Sequence, residues 1–344
     1  MKTEDKLAIP DAHQLGSEST TGLDKLRVEE KLRELIRSWG LSRFSEGMAL
    51  QWLLRSLGAS PPGNNGEEDG GDDFCHLRKW IVLQLNRRHR AEGCSDWQMG
   101  CPEVIPRLKA TAVWDCSAFP WVQTLEKNFL VIKEELLALK DSTTSGFQPY
   151  RAPSWASKIN AKDGLGSVGH DAGDWNVLYL FLHNVDFQAN RQLCPKTVAI
   201  IKSIDCHYDH AFFSAMAPRT HIKKHHGPTN KKLRCHLPLV VPRGQCRLRA
   251  GEETIHVEEG KCFVFDDSFE HEAWNDDATH SRIVLIIDVW HPDLSAQERK
   301  FFGFLRNAQL RMDKKLCQQS SDNFYSIIKE ASEAGPSPHA AVWS

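Results

Sequence analysis

The sequence predicts an α+β protein: two facing antiparallel sheets as the core, flanking helices, and a helical appendage in front. Three observations predict it. From Ala211 onward, short apolar runs alternate with turn signals such as Pro242-Arg243-Gly244, Ala250-Gly251 and Glu259-Gly260, the spacing of an antiparallel sandwich or barrel. Near the N-terminus, apolar residues recur at helical intervals with charges between them, as Leu26, Val28, Leu32, Leu35 and Ile36 do. The length of 344 residues and the 41% hydrophobic fraction can fill a sizeable core and leave material for an appendage.

In chain order, residues 1–22 are polar and without periodicity, and are expected to be disordered. Residues 23–100 are expected to form the helical appendage. Its first helix starts at Leu23 and closes at Gly40, its second covers 45–57, and its third covers about 74–90. An acidic, Gly-rich loop at 61–73 separates the second from the third. The third ends in Arg87-Arg88-His89-Arg90, a basic run that suits a helix C-terminus. The main domain is expected over 101–312. It opens with a helix at 122–139 that puts Leu125, Phe129, Ile132 and Leu136 on one face. A strand at 175–183 and a short helix led by Pro195 follow. Strands are then expected at 211–217, 232–241, 246–250, 253–257, 261–265 and 282–289, and a helix at 295–311. Two facing layers of such strands make a double-stranded β-helix, the jelly roll of cupin-like proteins. Residues 313–344 are expected to be a flexible tail.

Several function classes are disfavoured. A net charge of -2 gives no electrostatic footprint for nucleic acid. No apolar run approaches the ~18 residues of a transmembrane helix. The charged start Met1-Lys2-Thr3-Glu4-Asp5-Lys6 lacks the apolar centre of a signal peptide, so a cytoplasmic setting is expected. Ten scattered cysteines without a CxxC pair read as free thiols.

The chemistry concentrates between Thr220 and Pro292. A mononuclear iron(II) oxygenase site uses two histidines and one carboxylate, leaving coordination positions open. His225 and His271 fit the histidines, but the acid position two residues after His225 is Gly227. A literal His-x-Asp occurs at His207-Tyr208-Asp209, which stays open as an alternative. Arg282 heads an apolar strand, and Arg234 and His236 stand two apart, so they share one strand face. Polar groups on a buried face need partners, and an anionic ligand would supply one.

The runs His225-His226-Gly227-Pro228-Thr229-Asn230, Arg234-Cys235-His236-Leu237, Phe265-Asp266-Asp267-Ser268-Phe269-Glu270-His271 and Asp288-Val289-Trp290-His291-Pro292 resemble the aspartyl/asparaginyl β-hydroxylase family. Upstream, Phe119-Pro120-Trp121, Leu125-Glu126-Lys127-Asn128, Gly173-Asp174-Trp175 and Cys194-Pro195-Lys196-Thr197 extend the similarity, which covers about 101–305. The resemblance implies an Fe(II)- and 2-oxoglutarate-dependent dioxygenase that uses O₂. It implies iron ligation by His225 and His271 alone, with Gly227 at the open position. It also implies that Arg282 grips the distal carboxylate of 2-oxoglutarate, with Ser214, His236 and Arg234 as further contacts on that side. The implied reaction hydroxylates an unactivated carbon, foremost the β-carbon of Asp or Asn in a peptide or protein. Wider family members hydroxylate lipid acyl chains, so a lipid substrate stays open. From another class, a catalytically silent jelly-roll binding module is the rival reading.

Overall fold

The computed structural model describes residues 22–58, 73–86, 92–141, 146–150, 173–182, 185, 187–317 and 342–343. Of the disorder expected at 1–22, residues 1–21 lie outside them while Gly22 opens a helix; nearly all of the acidic loop at 61–73 and the basic run Arg87-Arg88-His89-Arg90 also lie outside them. The chain divides into two compact units. One holds Met1–Cys94, Val104–Lys109 and Pro292–Leu316; the other holds Ser95–Glu103, Ala110–His291 and Cys317–Ser344. Among the described residues, no helix is long and apolar enough to cross a membrane.

The first unit is helical. It comprises α1 (Gly22–Ser38), α2 (Arg43–Gly58), α3 (Cys75–Leu85) and the last helix of the chain, Ala296–Cys317. The sequence suggests that this last helix closes the main domain; instead it groups with the N-terminal helices. The reason is aromatic packing: Trp80 meets Phe302 at 5.4 Å and Phe301 at 6.2 Å, and Trp52 meets Phe301 at 6.2 Å. Glu298 is buried there and accepts hydrogen bonds from the Leu77 and Ser295 amides. The last helix also runs on through Cys317, into what was expected to be tail.

The second unit carries the sheets. Its elements are β1 (Val113–Trp114), α4 (Pro120–Lys127), α5 (Phe129–Ala138), β2 (Gln148–Pro149), β3 (Trp175–Leu182), α6 (Gln188–Leu193) and α7 (Pro195–Lys202). The strands continue with β4 (His207–Met216), β5 (Thr220–His225), β6 (Lys232–Val240), β7 (Cys246–Ala250) and β8 (Glu253–His256). β9 (Phe263–Phe265), β10 (His271–Asn275) and β11 (Arg282–Trp290) complete the set. The larger sheet has the order β1-β9-β6-β11-β4-β3-β2 and the smaller β5-β10-β7-β8, with every pairing antiparallel. This is the two-layered arrangement expected of a jelly roll.

Side-chain alternation sorts the large sheet into two cores. One face (Leu178, Phe213, Cys235, Leu237, Leu285 and Ile287) packs with Leu125, Ile132, Leu136, Val198 and Ile201 from the helices. The other face (Val177, Tyr179, Phe212, Phe263, Phe265 and Ile286) packs with Ile222, Leu248 and Ala273 of the small sheet. The chain end joins the first core, with Val342 buried and Trp343 edge-on to Phe147 at 6.0 Å. These two residues are therefore docked rather than part of a loose tail.

Three local expectations change. The single helix expected over 122–139 is two helices broken at Asn128, whose side-chain amide donates to the Thr124 carbonyl at 2.8 Å. An Asn side chain that bonds its own backbone competes with helix continuation. Strands β5 and β10, absent from the expected set, are short and only half-buried. The segment 95–100, expected with the appendage, belongs to the sheet unit, where the Glu270 amide donates to the Trp97 carbonyl at 2.8 Å.

Candidate active site

Three adjacent strands aim their alternate residues between the sheets. β6 contributes Lys232, Arg234 and His236. β4 contributes His210, Phe212, Ser214 and Met216, and β11 contributes Arg282, Val284, Ile286 and Asp288. The opposing small sheet contributes His225 and His271, which are direct register partners in the β5–β10 ladder. Their rings lie 4.1 Å apart between centroids.

The two histidines are set up alike. His225 Nδ1 lies 2.8 Å from the Lys223 carbonyl, and His271 Nδ1 lies 2.9 Å from the Phe269 carbonyl. A carbonyl only accepts, so each Nδ1 carries the proton and each Nε2 keeps its lone pair. Burial pushes the His225 ring down to about 4, and burial plus the neighbouring His225 pushes His271 well below its ordinary value. Both are thus neutral at physiological pH, the protonation state of a metal ligand. This donor pair fits a divalent metal held through two Nε2 atoms.

Gly227 has a steric reason to be glycine. A Cβ there would stand 2.5 Å from Asp267 Cγ, closer than carbon atoms approach. The Gly227 amide also donates to the Asp267 carbonyl at 2.5 Å. The Asp267 carboxylate thus fills the space that a side chain at position 227 would enter. One of its oxygens, Oδ1, is buried and has no hydrogen-bond partner among the described residues.

At one end of the cleft, four charges cancel. Arg234 forms a two-pronged pair with Asp288, through Nε at 2.8 Å and Nη2 at 2.9 Å. Lys232 bridges Asp267 at 2.7 Å and Asp288 at 3.0 Å. His210 Nδ1 adds a contact to Asp288 at 2.6 Å. Burial alone would raise the Asp288 carboxyl, but Arg234, Lys232 and His210 hold it well below the usual carboxylate range. Arg234 thus has its own protein counter-ion.

The other end is different. Arg282 is only 2% exposed, yet among the described residues no carboxylate pairs with it. Its Nη1 points at the Met216 sulfur at 2.9 Å, its Nη2 lies 3.3 Å from His236 Nδ1, and its Nε has no partner. Burial lowers its pKa to about 10. The buried His236 Nε2 also has no partner, and burial with Arg282 beside it keeps that ring neutral. Ser214 faces the same pocket and accepts from the Trp175 indole at 2.9 Å. Phe265 joins the two places, with His236 at 5.3 Å and His271 at 5.4 Å from its ring.

The structure therefore gathers His225 with His271, and Arg282 with His236 and Ser214, while Arg234 belongs to the paired end. It leaves out the alternative motif. His207 packs against Phe181 at 5.2 Å, on the helix-covered side of the sheet, and Asp209 sits at φ 61° in a bulged stretch of strand. Sequence reasoning missed Lys232, Asp267 and Asp288 as a network. Alternation was the available signal, since 232, 234 and 236 share a face, as do 282 and 288. Gln98 was also missed; its amide donates to Ser268 Oγ at 2.8 Å and Asp266 Oδ2 at 3.2 Å, bracing the turn before His271. No local signal pointed to it.

Residues 126–292, which contain every one of these groups except Gln98, match the family model described as Aspartyl/Asparaginyl beta-hydroxylase. Through this stretch the chain resembles the aspartyl/asparaginyl β-hydroxylase family. It is 35% identical over 274 residues to the aspartyl/asparaginyl beta-hydroxylase of Mus musculus, covering 73% of this chain and 33% of that one. It is 33% identical over 214 residues to aspartate beta-hydroxylase domain-containing protein 2 of Homo sapiens, covering 59% and 54%. It is also 33% identical over 190 residues to the ornithine lipid ester-linked acyl 2-hydroxylase of Rhizobium tropici, covering 54% and 63%. The chain thus spans about a third of the length of the β-hydroxylase it matches. All the site residues named above lie in the sheet unit.

Proposed function

We propose that this chain is an iron(II)- and 2-oxoglutarate-dependent dioxygenase. Its reaction hydroxylates an unactivated carbon, foremost the β-carbon of an Asp or Asn residue in a peptide or protein. The observation that carries the reading is Arg282, a buried guanidinium without an acidic partner among the described residues. Leaving such a cation unpaired in a protein interior is costly. A planar carboxylate is the ligand its fork suits best. Ser214 and His236 Nε2 stand beside it with hydrogen-bonding capacity to spend on the same anion.

In this reading His225 and His271 hold iron(II) through their Nε2 atoms. The metal, when bound, supplies O₂ activation coupled to conversion of 2-oxoglutarate to succinate and CO₂. The protein contributes placement and dryness. Arg282, Ser214 and His236 fix the distal carboxylate, so that the keto-acid end is directed toward the histidine pair. Phe212, Phe263 and Phe265 line the space between and exclude water. The Asp288–Arg234–Lys232–Asp267 network keeps the metal end rigid without offering a spare buried cation. The acyl 2-hydroxylase relative favours a second substrate class, a lipid acyl chain, for the same chemistry.

The test is turnover. Protein supplied with Fe(II), ascorbate and 2-oxoglutarate is expected to form succinate, and mass spectrometry is expected to find a hydroxylated Asp- or Asn-containing peptide rather than a hydroxylated lipid. His271→Ala and Arg282→Met are expected to abolish both signals. Metal binding with no succinate from any substrate would overturn the reading in favour of a silent binding module.

A further inference from the structure

We infer that Trp175 is a positioning residue for the anionic cosubstrate: its indole N–H fixes the Ser214 hydroxyl so that the serine proton points at the carboxylate held by Arg282. This rests on the cosubstrate reading above and extends it to a residue outside the ligand set.

The argument starts from the serine. Ser214 is 4% exposed, and Trp175 Nε1 donates to its Oγ at 2.9 Å. An indole N–H only donates, so Ser214 must be the acceptor there. The hydroxyl keeps one proton of its own, and no acceptor for that proton exists among the described residues. A buried donor without an acceptor is costly, so the proton is placed for something that arrives. Register says where. On β4 and β11, Ser214 pairs with Val284 and Met216 pairs with Arg282, so Ser214 is the diagonal neighbour of Arg282 on the same face. Because Trp175 occupies one side of the oxygen, the proton turns away from the indole into the pocket.

The indole itself is held on three counts. It is 8% exposed. Tyr150 stacks on it at 3.7 Å with 14° between the planes, and the Tyr150 amide donates to the Trp175 carbonyl at 2.8 Å. Two residues earlier, Gly173 takes φ 69°, and a Cβ there would collide with the Thr220 hydroxyl. That conformation favours glycine and sets the entry of β3 before Trp175.

Trp175→Phe removes the N–H and keeps a ring for Tyr150 to stack on. The experiment is calorimetric titration of 2-oxoglutarate into Mn(II)-loaded protein for the wild type, Trp175→Phe, Ser214→Ala, the double variant and Arg282→Met. Melting curves run alongside, so that only folded variants are compared. Trp175→Phe is expected to weaken binding about five-fold, the size of one neutral hydrogen bond. In the Ser214→Ala background the same change is expected to have no further effect. In turnover, the loss is expected in KM for 2-oxoglutarate with kcat retained, which a general loss of structure would not produce. Equal weakening by Trp175→Phe with and without Ser214 would overturn the inference, as would no weakening at all. If Arg282→Met binds 2-oxoglutarate as tightly as the wild type, the cosubstrate reading itself fails, and that outcome is separate. If Trp175→Phe does not fold, Trp175→His, which keeps a ring N–H, replaces it: retained affinity supports the inference, and affinity as low as that of Ser214→Ala overturns it.

Discussion

The two ends of the cleft handle buried charge in opposite ways. At the Asp288 end, Arg234 and Lys232 face Asp267 and Asp288, and each cation has a carboxylate within hydrogen-bonding distance. At the Arg282 end, a cation as buried as Lys232 meets a sulfur and a neutral imidazole. A buried ion pair completed by protein is structure; a buried ion left incomplete is a receptor. The contrast separates residues that hold the cleft's shape from those that hold a ligand, although both groups share strand faces.

Breaking the paired end is expected to have the largest effect. Asp288→Asn leaves Arg234 and Lys232 with Asp267 as their one carboxylate, and loss of about 3–5 kcal/mol is expected in urea unfolding. Arg282→Met provides the opposite case. It removes an uncompensated cation, so stability is expected to stay level or rise by about 1 kcal/mol, while 2-oxoglutarate binding disappears from the titration. A large stability loss in Arg282→Met would erase the distinction between the ends.

A smaller effect is expected at Gly227. Adding one methyl as Gly227→Ala drives it into Asp267, and about 1–3 kcal/mol of stability is expected to be lost to overpacking. Gly227→Asp, which would restore a two-histidine, one-carboxylate sequence, is expected to destabilise further rather than tighten metal binding. Tighter Mn(II) binding by that variant would show that the space is not already filled.

The smallest effect is a slope. Burial raises the Asp266 carboxyl to about 7, with Ser268 and Lys232 opposing and Asp267 reinforcing. Its folded-state pKa lies above the unfolded value near 4, so its contribution to stability is fully present below about pH 4 and is lost as pH rises through about 7. Asp266→Asn is expected to flatten the pH dependence of unfolding free energy across that window. An unchanged slope would place the titration elsewhere.

Much of this was legible in the chain, and the exceptions have causes. His225, His271 and Arg282 stood out because rare residue types sat in long motifs, and the buried strands β4, β6 and β11 announced themselves by apolar runs. The two strands that carry the histidines did not. Thr220–His225 alternates buried positions with Lys223 and Lys224 at the surface, and His271–Asn275 is only five residues long. Neither offers enough apolar residues for a pattern. The closure of the charges was hidden for another reason. Asp288 meets Arg234 and Lys232 only through the β6–β11 register, and register is a tertiary property. The regrouping of the last helix with α1–α3 depends likewise on Phe301 and Phe302 finding Trp80 and Trp52.

His225 sits on β5, an edge strand of the small sheet, whereas His271 sits on β10, which is paired on both sides. A metal shared by the two would act as a stitch between a strand free to fray and one that is not. Amide hydrogens at 220–225 are therefore expected to exchange more slowly once Mn(II) is added, with little change at 271–275. Peeling of that edge would then set the pace of metal exchange, so metal residence time becomes a property of one short strand's fraying.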